Sequence, residues 1–182
     1  MSEAKLQRRG VDVVFGDCYV DEKVKVKDGF LNKLIPYPSF ELSFVDSRFN
    51  RSDGWFLDRD NITTHYALIG VFTGSNDEKN IVFNGIEHLN VLFVPKRGLK
   101  DYIEKCHLNL RKDVSDIVSG LYGDSMEYNG TGMHLKMTTY FSEAPVNLVV
   151  RRDVLYGIKG AREFDVFKDH IQDTLKTVAF ES

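Results

Sequence analysis

The stretch 81–120 constrains the fold most, because it carries two different hydrophobic periods in succession. Ile81-Val82-Phe83 leads into Asn84-Gly85, a dipeptide suited to a type I′ hairpin, whose central residues both need positive φ. From 86 to 94, Leu89, Val91 and Phe93 alternate with Ile86, His88, Asn90, Leu92 and Val94, the two-residue repeat of a strand. After Pro95-Lys96-Arg97-Gly98, apolar residues recur as Leu99, Ile103, Cys106, Leu110, Val114 and Ile117. Spacings of three and four predict one long amphipathic helix over 99–119, closed by Gly120 and Gly123.

The remaining patterns extend this picture. A first strand is expected over 11–15. A hairpin of 18–20 with 24–27 is expected to turn at Asp21-Glu22-Lys23, its Val/Lys alternation suiting an edge. Further strands are expected over 39–45, 63–72, 79–83 and 133–141. Another covers 146–151, with Val154-Leu155-Tyr156 extending it. Phe164, Phe167, Ile171, Leu175 and Val178 predict a last helix over 161–180. Strands, helix, strands and helix joined by short turns predict an α+β fold: a mainly antiparallel sheet with two long amphipathic helices packed on one face. The expected organisation is a flexible arm over 1–10, basic through Lys5, Arg8 and Arg9, and a single domain over 11–182.

Composition narrows the function classes. A chain of 182 residues fits one domain and can bury a core without metal or disulfide support. Its hydrophobic content of 42% and charged content of 28% are those of a globular protein. A net charge of -3 gives no general attraction to nucleic acid or anionic membrane. No apolar run approaches the ~20 residues that span a bilayer, and no signal-peptide pattern is present. Cys18 and Cys106 match no metal or redox spacing, so two reduced thiols in a cytoplasmic or host-cell interior are expected.

Three groups of residues carry potential chemistry. His88-Leu89-Asn90-Val91 and His134-Leu135-Lys136-Met137 share an order of His, apolar, polar, apolar. Over these two tetrapeptides the chain resembles the His-x-Thr/Ser strands of the 2H phosphoesterase family. That resemblance implies His88 and His134 as general base and acid at a phosphate ester. Asn90 and Lys136 stand where the family places its hydroxyl residues. Secondly, Lys96 and Arg97 precede the predicted helix, where free backbone N–H groups and the helix dipole favour an anion. No Walker A spacing accompanies them.

Thirdly, the segment 46–61 packs charges of both signs around Phe49, Trp55 and Phe56. Arg48, Arg51, Trp55, Phe56 and Arg59 form its candidate partner-binding set, since tryptophan and arginine are enriched at binding hot spots. Asp53, Asp58 and Asp60 lack calcium-loop spacing, and no zinc motif occurs, so no metal and no cofactor are expected. The resulting expectation is a non-catalytic subunit that binds protein partners or its own copies. A viral or phage assembly component and an inhibitor- or immunity-type protein both fit that description. The alternative is a small phosphoester hydrolase using His88 and His134.

Overall fold

The computed structural model describes residues 11–24, 32–46, 49–74 and 85–174. In chain order the elements begin β1 (Val13–Phe15), β2 (Cys18–Val24), β3 (Ser39–Val45), β4 (Arg51–Asp53), β5 (His65–Thr73) and β6 (Ile86–Pro95). Two helices follow, α1 (Lys96–Lys105) and α2 (Leu110–Val118). The chain continues through β7 (Ser125–Tyr128), β8 (Met133–Met137), β9 (Val146–Val150), α3 (Arg152–Tyr156), β10 (Arg162–Phe167) and β11 (Ile171–Asp173). The strands make two sheets. Sheet A has the order β1-β2-β5-β6-β10-β11, and sheet B the order β4-β3-β9-β8-β7. Among the described pairings β2–β5 is parallel and the others are antiparallel.

The sheets interleave along the chain. After β1 and β2 of sheet A the chain supplies β3 and β4 to sheet B, then returns for β5 and β6. It crosses again for β7, β8 and β9 before completing sheet A with β10 and β11. Both sheets contribute to one core. Tyr66, Leu68, Leu92 and Val94 come from sheet A, and Phe40, Leu42, Met133, Leu135, Leu148 and Val150 from sheet B. The Phe40 and Tyr66 rings meet edge to face at 4.7 Å and join the two. Each large side chain removed from water here contributes about 1.5–3 kcal/mol.

The helical region keeps its predicted apolar stripe but not its continuity. Leu99, Ile103, Leu110, Val114 and Ile117 are buried, yet the helix breaks between α1 and α2. His107 takes a φ of 56°, and the Asn109 side chain accepts from the Lys112 N–H to cap α2. Asparagine gains more as a cap than inside a helix, because its short amide satisfies an otherwise free N–H. Gly98, by contrast, is required by packing: a Cβ there would lie 2.7 Å from Ile158 and 2.8 Å from the Lys159 carbonyl oxygen.

The expected pair of long helices on one face is not what forms. Within the predicted last helix, 162–167 is strand β10, paired with β6 from Arg162↔Phe93 to Phe167↔His88, and 171–173 is β11. Phe164, Phe167 and Ile171 fit a helical spacing, but Arg162, Phe164 and Val166 equally share one face of a strand. Six register pairs along the free side of β6 settle the matter, as tertiary pairing overrides local spacing. Three smaller expectations also change. Asp21-Glu22-Lys23 lies inside β2, 154–156 belongs to the single turn α3, and β8 ends at Met137. The arm 1–10, the strand over 79–83 and the segment 175–180 lie outside the described residues.

Candidate functional site

Strand pairing does not bring the two histidines together. His88 is on β6, whose partners are β5 and β10, and His134 is on β8, whose partners are β7 and β9. The His88 ring is stacked between Phe72 at 4.3 Å and Phe167 at 5.2 Å. His134 sits between the buried Met133 and Leu135, and so on the side of sheet B turned from the core. Its nearest acidic partner is the Glu127 carboxylate at 3.9 Å. A shared reacting atom needs both rings at one cleft, and they belong to different sheets.

The loop around Trp55 is more structural than its charges imply. Phe56 is 1% exposed and packs with Phe40 and Tyr66 at 5.9 and 6.3 Å, so it is a core residue. Arg51 donates to Ser43 Oγ at 2.9 Å and to the Ala144 carbonyl at 3.2 Å, tying β4 to the 142–145 turn. Trp55 and Arg59 are exposed, and Arg48 lies outside the described residues. Among the described residues, the set thus divides between the core, the β4 tie and the exposed surface.

Lys96 and Arg97 diverge. Arg97 is exposed, whereas Lys96 is 6% exposed and turned inward as the first residue of α1. Its Nζ donates to the Trp55 carbonyl at 3.0 Å and to Asn61 Oδ1 at 2.7 Å. Burial, with the nearby positive charge of Lys100, pulls its pKa from the ordinary 10.5 down to about 8. The lysine thus holds the loop 55–61 against the helix start, with its charge turned away from any ligand there.

A second buried network was not legible as a motif. Arg152 of α3 donates to Asn90 Oδ1 at 2.6 Å, to Glu163 Oε1 at 2.9 Å and to the Tyr156 hydroxyl at 2.8 Å. Tyr156 in turn donates to Glu163, and Asn90 to Asp165. These groups satisfy one another between sheet A and α3, and Arg152 Nη1 is left buried without a partner. The arrangement fixes α3 on the sheet.

The most unusual surface is the outer face of sheet A. On β5, Tyr66 and Leu68 point to the core, so Ala67, Ile69 and Val71 point away. The same alternation turns Leu89, Val91 and Phe93 of β6 outward, with Phe164 and Val166 of β10 beside them. Val13, Phe15, Val20 and Val24 continue the face across β1 and β2. None of these belongs to the core cluster or to the side chains packed against it. Val20, Ala67 and Val71 are buried among their neighbours and the rest of the centre is half-buried, while at the two edges Phe15 is 78% and Ile171 68% exposed. Antiparallel sheets with one wet face normally alternate apolar and polar residues. Here the central strands β5 and β6 carry apolar residues on both faces. The sequence did carry that signal, in the unbroken runs Tyr66-Ala67-Leu68-Ile69 and Val91-Leu92-Phe93-Val94.

The chain matches no family model, no curated protein and no solved structure. Among the described residues no cluster of histidine, cysteine and acidic groups could hold a metal ion, and no helix is long and apolar enough to cross a membrane.

Proposed function

We propose that this protein acts without catalysis, by binding protein through the outer face of sheet A, as an interaction or assembly subunit. The observation that supports the reading is the apolar face itself, formed by the central strands β5 and β6 and their neighbours and, among the described residues, outside the core cluster that the two sheets share. Contiguous apolar patches of this kind on soluble proteins mark interaction sites. The loop around Trp55, with Phe56 and Arg51 committed to the fold, plays the lesser part.

The test compares the wild-type chain with Val91→Lys in affinity capture from its native host, with light scattering of the purified proteins alongside. Val91 is half-buried and outside the core, so the lysine leaves the fold intact while placing a charge mid-face. The expected result is a specific retained protein, or self-association, that Val91→Lys abolishes. Retention that survives Val91→Lys unchanged, or a monomer that retains nothing, would overturn the proposal.

A further inference from the structure

The outer face of sheet A has an order beyond being apolar. Glu22 lies beside Ala67, Ala67 beside Phe93, and Phe93 beside Arg162, so one cross-strand row runs acidic, small, large, basic. Glu22 and Arg162 are exposed and stand one strand outside the central pair β5–β6, on opposite sides. The adjacent row, Val24, Ile69, Val91 and Phe164, is apolar throughout. Arg162 also reaches Asp173 within its own chain and lies over the Phe164 ring, which holds its guanidinium at the rim of the face.

Resting on the reading that this face binds protein, we infer that its occupant is a second copy of the chain. The two copies stack face to face about a two-fold axis parallel to the strands and midway between β5 and β6. This axis exchanges β2 with β10 and β5 with β6, and keeps each row over itself. Glu22 then meets the second copy's Arg162, and symmetry makes that contact twice. Phe93 then lies over the small Ala67, which is 5% exposed and forms the floor of its row, while Val24 and Ile69 cover Phe164 and Val91. Both the charges and the side-chain sizes are therefore self-complementary.

A two-fold axis across the strands, through the Ile69–Val91 row, does worse. It sets Arg162 against Val166 of the second copy, desolvating a guanidinium with no acceptor opposite. Stacked sheets lie about 10 Å apart, a gap that a glutamate and an arginine side chain span together. Twisted sheets that stack in alignment cross at about 30°, which keeps the strands nearly parallel, as the inferred axis requires.

The experiment is sedimentation velocity of the full chain over a concentration series, for wild type, Glu22→Arg, Arg162→Glu and the double exchange. The wild type is expected to dimerise. Each single variant creates two like-charge contacts and should weaken the dimer by roughly tenfold or more. The double exchange restores opposite charges with their signs swapped, and should recover affinity to within about threefold of wild type. Recovery separates the intermolecular pair from local damage at Asp173, since Arg162→Glu loses that partner in both backgrounds. A wild-type dimer that Val91→Lys disrupts but the double exchange does not restore would refute this axis while leaving the face reading standing. A monomer that retains another protein through the face would refute the second copy as occupant. A monomer that retains nothing would refute both.

Discussion

Replacing Lys96 with methionine probes how the helix start is tied to the loop 55–61. Methionine keeps the apolar stem beside Phe56 and removes only the ammonium group, which lies 5.8 Å from that ring. Two part-buried acceptors, the Trp55 carbonyl and Asn61 Oδ1, then lose a charged donor. Hydrogen bonds to charged groups contribute about 1.5–3 kcal/mol each, and part of this is offset by no longer desolvating a charge. The expected loss at pH 7 is about 1–2 kcal/mol.

The pH dependence sharpens the Lys96 prediction. Below pH 8 the lysine is charged in both folded and unfolded chains, so it adds no slope. Between about 8 and 10.5 the unfolded chain keeps a proton that the folded chain has released. Wild-type stability therefore gains from this group as pH rises through that window, by at most ~1.4 kcal/mol per pH unit before solvent screening. Lys96→Met lacks the gain, so the gap between the two proteins should widen between pH 7 and pH 9.5. Urea titrations of both proteins at the two pH values measure it. A gap that stays constant or narrows would refute the claim that burial disfavours the charged form.

The other predictions concern packing and the second polar network. Arg152→Ala should cost about 3–5 kcal/mol in thermal or urea unfolding, because it takes the only charged donor among the described residues from the largely buried Glu163 carboxylate and the Arg152 donor from Asn90 Oδ1. Gly98→Ala should cost about 1–3 kcal/mol in the same assays, since its methyl would meet Ile158 at 2.7 Å and backbone oxygen at 2.8 Å. An unchanged melting curve for Gly98→Ala would show that α1 and the 158–159 segment do not approach as closely as described.

Local pattern revealed faces better than it revealed elements. The stripe Leu99, Ile103, Leu110, Val114, Ile117 is buried as its spacing predicts, although the backbone between Cys106 and Asn109 is not helical. The break depends on one capping amide at Asn109, a weak local signal beside six well-spaced apolar residues. The segment after Gly160 failed for the opposite reason. Its spacing satisfies a helix and a strand alike, and only the open side of β6, some seventy residues earlier in the chain, decides between them.

Site residues misled in a similar way. Lys96 reads as a surface cation until Asn61 and Trp55, brought in from 35 and 41 positions away, turn it inward. Phe56 follows Trp55 in a charged loop, yet one residue is core and the other exposed. The strands that make the outer face were visible as runs without polar alternation. That both faces of one sheet would be apolar follows from those runs. Which face meets the core does not.

The interleaving of the sheets bears on how the chain reaches this fold. The chain between the parallel partners β2 and β5 of sheet A supplies β3 and β4 to sheet B. Sheet B takes β9 from beyond β6 in the chain, and β6 takes its second neighbour, β10, from later still. Contacts of such long sequence separation slow folding, since loop-closure entropy is lost before the pairs form. On a ribosome, the open side of β6 waits for 162–167, the last strand to pair with it, to emerge.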